Sequence, residues 1–398
     1  MNTGNFTFLC PCKTLFGLNA LAHLPFDLSA MGCHKPLVLL DKDAQLAGCT
    51  KPLARAFKES GMTLGICPPM DKDPNTSAGQ ERGMLKELYH LYRDKGFDAI
   101  IALGTGNMVD MAKALNMTVT LGPDCLKSAN TPITRPLSPF VYIPTGMGTG
   151  METCNQARFN SLTFTSVFLM PDLVLVDPKT VTKSHGLPLV DAALTCLSVC
   201  CQAHALSDNP PARAYAATGI GLIMENFLPL ATHLMTPGSV LDKQRAKRLL
   251  ANLAHASAIT GIILANCAHL PGVGLGSIVA GHCTATPGQA MAILLPSVLD
   301  LLAKETTGQL LLHLSGPDAF AATPSGQRPA LAIQSIQALL NALYRISLGT
   351  LPRTLGDAGL DKAAIPELSR AIDPRTMDPK QAEAVLTYAL DGRPRNLS

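Results

Sequence analysis

Apolar residues change their spacing near the middle of the chain. Up to about residue 180, short β-rich runs alternate with helical patterns: "KPLVLLD" (35–41), "TKPLARAFKESG", "MTLGICPP", a helical stretch to Lys95, then "FDAIIALGTG". Strands alternating with helices of this length predict βαβ units and a parallel sheet. The runs 37–40 and 99–103 are apolar at every position, as strands buried on both faces are. Each stops at a residue suited to ligand contact, Asp41 after the first and Gly104 after the second. In such sheets ligands bind beyond the carboxyl ends of the strands.

Beyond about residue 185 the apolar residues recur at helical spacing, as in "YAATGIGLIMENFLPLATHL" and "RAKRLLANLAHASAITGIILANC". Pro and Gly at "DNPPAR", "LPGVGLG", "ATPGQA" and "SGPDAFAATPSGQRP" read as interhelix loops. The pattern predicts an α/β domain with a parallel sheet over residues 1–182 and an all-α domain over 183–398, and 398 residues suffice for two cores.

Composition narrows the function classes. The 32 basic and 29 acidic residues are mixed along the chain, leaving a net charge of +3 and no basic stripe. Nucleic acid and anionic membrane are thereby disfavoured as partners. With 15% charged and 47% apolar residues, the chain is expected to bury much helix surface and to carry an oligomer interface. No uninterrupted apolar run reaches the roughly 18 residues that span a bilayer. The start, "MNTGNFTFLCPCKTLFG", has no basic region followed by an apolar one, so a cytoplasmic location is expected. The 12 cysteines are scattered, which in a chain of this size points to reduced core thiols. Cys10 and Cys12 are too close for a CxxC motif and read as incidental thiols of an edge strand.

The candidate chemistry lies first in "IIALGTGNMVDMAKAL" (100–115), a strand, a glycine turn and a helix. Gly104, Thr105, Gly106 and Asn107 could present backbone N–H groups to a phosphate at the helix N-terminus. A second Gly/Thr loop, "IPTGMGTGME" (143–152), follows another buried strand, and two such loops on one sheet suggest a dinucleotide site. Asp41 is placed to hold a ribose hydroxyl and repel a 2′-phosphate, favouring NAD over NADP, or else to serve as a strand-end turn residue.

The order of these motifs resembles the iron-containing (group III) alcohol dehydrogenase family. The matching pieces are "TLFGLNALAHLP", "LLDKDAQLAG", "DPNTS", "FDAIIALGTGNMVDMAKAL", "IPTGMGTGME", "MPDLVLVDPKTV", "GQAMAILLPSVLD", "LPRTLGDAGL" and "DPRTMDPKQAEAVLTYAL". The resemblance implies a Rossmann-like, dehydroquinate synthase-like N-terminal domain, an all-helical C-terminal domain, and hydride transfer between NAD(H) and a small alcohol or aldehyde in the cleft between them. It assigns cofactor selection to Asp41, places Asn75 on a cofactor loop and implies a homodimer. It sets Gly104 to Met108 on the pyrophosphate turn, with Thr105 and Asn107 as departures from the family's Gly and Ser. Asp110 and Lys113 keep the rest of that motif, and Thr145, Gly146, Gly148, Thr149 and Gly150 stand on the second loop. Dehydroquinate synthases share the architecture, but "PRTLGDAGL" and "DPRTMDPKQAEAV" favour the dehydrogenase branch.

The family also holds a divalent metal, Fe or Zn, through one Asp and three His. Laid on this chain without gaps, those ligands fall on Thr195, Val199, Val273 and Pro287, and a neighbouring cleft His falls on Ser277. None is a usual metal ligand, so iron-type catalysis is in question. A shift of one residue brings Cys196 and Cys200 to the ligand positions, with His204 on the same helix face and His282 and Cys283 reachable by a gap. That thiolate and imidazole set would suit Zn²⁺; otherwise these cysteines are core thiols. A second reading follows, of a metal-free relative that serves as a dinucleotide-binding, regulatory or assembly subunit.

Overall fold

The computed structural model describes residues 5–70, 77–129, 131–160, 162–181, 186–303 and 306–392. The chain forms two compact units, Leu9–Ser184 and Met1–Phe8 together with His185–Ser398.

In the first unit, β1 (Lys13–Phe16), β2 (Pro36–Leu40), β3 (Gly65–Ile66), β4 (Ala99–Gly104), β5 (Phe140–Pro144) and β8 (Leu173–Val176) form one sheet in the order β1-β8-β5-β4-β2-β3. Every neighbouring pair is parallel. The strands β2, β4, β5 and β8 are buried at each position, which is why they read as unbroken apolar runs. β6 (Gln156–Phe159) and β7 (Leu162–Thr165) make a separate antiparallel pair. β1 is the expected edge strand but starts at Lys13, so the exposed Cys10 and the buried Cys12 precede it.

Five helices accompany this sheet: α1 (Leu24–Ala30), α2 (Lys42–Leu46), α3 (Thr50–Phe57), α4 (Ala78–Lys95) and α5 (Asn107–Leu121). After β2 the chain lays β3 on one flank, then returns to put β4 on the other, and β5 and β8 continue away. The strand order thus reverses between β2 and β4, and open sheets of this kind bind ligands at that reversal, beyond the carboxyl ends. Asp41 and Gly104 stand there.

The second unit contains α6 (Gly186–Leu206), α7 (Pro210–Met235), α8 (Lys243–Asn266), α9 (Pro271–Ala280), α10 (Pro287–Leu302), α11 (Thr307–Ser315), α12 (Pro317–Ala322), α13 (Arg328–Ile346), α14 (Ile365–Ala371) and α15 (Pro379–Asp391). α6 is buried almost end to end and packs against α7, α8, α9, α10 and α11. Leu275, Leu294, Leu368 and Leu386 belong to one core cluster shared by α9, α10, α14 and α15. Phe8 from the start of the chain lies against Tyr215 of α7, and the Thr7 carbonyl accepts from Asn209 Nδ2 at 3.0 Å.

The reading of interhelix loops needs correction. "PGVGLG" and "PGQA" are not loops but the first turns of α9 and α10, because proline is suited to a first helical position that has no use for its N–H. By length and composition α6 and α8 could cross a membrane, although no uninterrupted apolar run announces it. In α6 and α8, 89% and 72% of the most apolar stretch is buried inside the protein, so both are core helices.

Candidate functional site

Backbone geometry at the end of β4 demands glycine. Gly104 has φ of 154° and Gly106 φ of 64°, and a side chain at Gly104 would overlap the Asp41 carboxylate and the Met108 methyl. Gly104→Ala is therefore expected to destabilise the chain by about 1–3 kcal/mol. A urea midpoint equal to that of the parent would contradict this.

Asp41 is wholly buried. Its Oδ1 accepts from the Ala44 N–H at 2.7 Å, capping α2, and its Oδ2 accepts from the Thr105 N–H at 3.3 Å. The carboxylate thus bridges the reversal point, tying the turn after β2 to the turn after β4. These bonds belong to the turn role read from sequence, and the side chain is buried between the two turns.

A second carboxylate does the same between the glycine loops. Glu152 is 4% exposed; Oε1 accepts from the Gly106 N–H at 3.3 Å and Oε2 from the Gly150 N–H at 3.0 Å. Gly148 makes room, since a Cβ there would overlap that carboxylate. Lys113, 1% exposed on α5, donates to the carbonyls of Met151 (2.9 Å), Cys154 (3.0 Å) and Gln156 (2.7 Å). Asp110 accepts from the Arg158 N–H at 3.0 Å, and burial pushes its carboxyl above the usual range, against the pull of that bond and of Lys113. Lys113 thus clamps the end of the second loop to α5, and Asp110 holds β6 against the same helix.

Thr145, Gly146 and Met108 are buried, Thr149 and Thr105 half-buried, and Gly106 exposed. Asn107 begins α5, its side chain lying outside the described set, as does all of Asn75. The first-turn N–H groups of Asn107 and Met108 have no intrahelical acceptor, and the helix dipole adds partial positive charge beside them. This end of α5 suits a phosphate.

In the helical unit the residues that meet the start of α10 lie one turn before the first pair picked out by the ungapped alignment. Asp191 Oδ1 accepts from the Gly288 N–H at 2.7 Å, and a Cβ at Gly288 would sit 2.6 Å from Thr195 Oγ1. The i, i+4 pair that meets the start of α10, next to Pro287, is therefore Asp191 and Thr195 rather than Thr195 and Val199. Val199 is wholly buried, Val273 half-buried, Pro287 and Ser277 exposed, and Ser277 Oγ donates to the Val273 carbonyl at 3.1 Å. The carboxylate missing from the ungapped alignment is present as Asp191, but Thr195, Val273 and Pro287 supply no imidazole. One carboxylate does not make the three-ligand set that a catalytic divalent metal needs, so these residues do not fit such a metal.

The alternative thiolate set is not assembled either. Cys196 and Cys200 are wholly buried; Cys200 Sγ lies 3.6 Å from Thr260 Oγ1, and burial pushes its thiol up to about 12. His204 instead meets His313 edge-on, ring centroids 5.0 Å apart. His282 is exposed in the α9–α10 loop, and Cys283 Sγ donates to the Val279 carbonyl at 3.4 Å. Among the described residues no three His, Cys, Asp or Glu side chains converge in a group able to hold a metal.

Comparison with known proteins adds five findings. The family described as iron-containing alcohol dehydrogenase matches residues 11–178. A relative named probable alcohol dehydrogenase EutG, of Salmonella typhimurium, is 31% identical over 315 residues, covering 74% of this chain and 72% of the relative. The NAD-dependent methanol dehydrogenase of Bacillus methanolicus is 24% identical over 268 residues, 65% of this chain and 66% of that protein. Among solved structures, 1,3-propanediol oxidoreductase superposes with a TM-score of 0.78 at 21% identity, over 97% of this chain and 100% of the other. An alcohol dehydrogenase from Oenococcus oeni gives 0.77 at 18%, with the same coverage.

Proposed function

The chain belongs to the iron-containing alcohol dehydrogenase family of oxidoreductases, and from that premise we propose that it moves hydride between NAD(H) and a small alcohol or aldehyde. The observation that carries the cofactor is the end of α5 at the strand reversal, where two glycine loops are pinned and first-turn N–H groups stay available to a pyrophosphate.

When bound, the nicotinamide ring would supply the hydride acceptor. The chain's own residues do the rest. Gly104 and Gly106 let the backbone approach the phosphates, Asn107 and Met108 donate to them, and Lys113 and Glu152 hold the second loop in place. The Asp41 carboxylate at the end of β2, on the side where the ribose of a dinucleotide would lie, supports NAD over NADP, since it would repel a 2′-phosphate there. The name of the Bacillus methanolicus relative supports NAD as the dinucleotide and a short alcohol as the substrate class.

The chain contains no tryptophan, so NADH fluorescence can be followed without energy transfer from indole. Titration with NADH and NADPH should show saturable enhancement that is stronger for NADH, and NAD⁺ should be reduced in the presence of short primary alcohols. A folded chain that binds neither dinucleotide would end this reading.

A further inference from the structure

On the otherwise apolar α6, Asp191, Thr195, Ser198 and Gln202 are spaced by four, three and four residues and so share one face. The two ends of this stripe each meet a helix N-terminus. Asp191 Oδ1 accepts from Gly288 at the start of α10, 2.7 Å, and Gln202 Oε1 accepts from Gly272 at the start of α9, 2.8 Å. The other first-turn donors are satisfied locally. Gln289 N–H donates to Thr286 Oγ1 in a capping box, and Val273 N–H donates to the Leu270 carbonyl. Pro271 and Pro287 have no N–H to satisfy.

Glycine at 272 and 288 allows the close approach. A Cβ at Gly272 would come 2.9 Å from Gln202 Nε2, and one at Gly288 would overlap the Asp191 carbonyl. Asp191 also places negative charge at the positive end of α10. The family resemblance, with the register corrected by one turn, sets its metal ligands at 191, 195, 273 and 287, within this same junction.

We infer that Asp191 and Gln202 hold α9 and α10 to α6 by hydrogen bonds, at the place where relatives bind their metal, so that the helical unit is assembled without a divalent ion. One oxygen of the only carboxylate among the four positions is already bonded to an N–H. Thr195, Val273 and Pro287 offer a hydroxyl, an isopropyl group and a ring. The inference rests on family membership and not on the dinucleotide, so failure of NADH binding leaves it standing.

The test uses the full chain, purified without a histidine tag, incubated with excess Fe²⁺ or Zn²⁺, desalted and measured by elemental mass spectrometry and thermal melting with and without EDTA. Metal far below one per chain and a melting temperature indifferent to EDTA are expected. One retained metal per chain, or a melt lowered by EDTA, would overturn the inference. Asp191→Ala should lower the melting temperature by several degrees, equally with and without EDTA. Asp191→Asn, which keeps an acceptor for the Gly288 N–H, should stay near the parent. Equal melting of all three proteins would overturn the role of Asp191. Should Asp191→Ala fail to fold, Gln202→Leu tests the same junction at α9, and the metal content of the parent still decides.

Discussion

Lys113→Met is expected to destabilise the α/β unit by about 3 kcal/mol or more and to weaken NADH binding with it. The ammonium is buried and shared among the carbonyls of Met151, Cys154 and Gln156. Methionine fills a similar volume but leaves three buried acceptors unbonded, and each unsatisfied group costs about 1–3 kcal/mol before relaxation. Lys113→Arg should not rescue, because a planar fork cannot reproduce three bonds that radiate from one nitrogen. Urea unfolding monitored by circular dichroism, beside an NADH titration, gives the readout. A variant with the parent's midpoint would show that the clamp contributes nothing.

Acidification below pH 6.5 should destabilise the helical unit before ordinary carboxylates begin to titrate. Burial, with help from His313 and Arg213, brings His204 down to about 4 from its usual 6.5, and burial also lowers His313. A folded-state value below the unfolded one means that the stability tied to neutral His204 is complete above pH 6.5 and is lost as pH falls from there towards 4. Over that window the loss approaches about 3 kcal/mol for His204 alone. Denaturant midpoints at several pH values between 7.5 and 4 check it. His204 Nδ1 is buried without a hydrogen-bond partner, so His204→Leu should be at least as stable as the parent at pH 7.5 and much less sensitive to acid. Parallel pH curves for the parent and His204→Leu would refute the assignment.

Much of the fold was written in hydrophobic period. The all-apolar runs at 37–40 and 99–103 became central strands, and the change of spacing past 185 marked the helical unit. The site was less legible, because its key bonds join side chains to distant backbone. Lys113 is 38 to 43 residues from its acceptors and Glu152 is 46 from Gly106, and no local pattern encodes such a pairing. Glu152 closed the quoted loop, "GTGME", yet its type alone gave no sign that it would bridge two turns.

The ligand register on α6 escaped for another reason. A shift of four residues returns to nearly the same face of a helix, so periodicity cannot distinguish Asp191 and Thr195 from Thr195 and Val199. The contact with Gly288 shows which of these residues meets α10. Asp41 illustrates a third limit, since a carboxylate at a strand end can cap the next helix or face a ligand, and the two roles look alike in sequence.

The helical unit takes in Phe8, held against Tyr215, before the chain departs to build the sheet and returns near residue 185. Its pieces therefore leave the ribosome at widely separated times. The α/β unit is continuous and can close as soon as its last strand emerges, whereas the segment around Phe8 must wait, unpaired, for some two hundred further residues. Synthesis order thus favours a nascent chain whose sheet is finished while Phe8 is still exposed to chaperones.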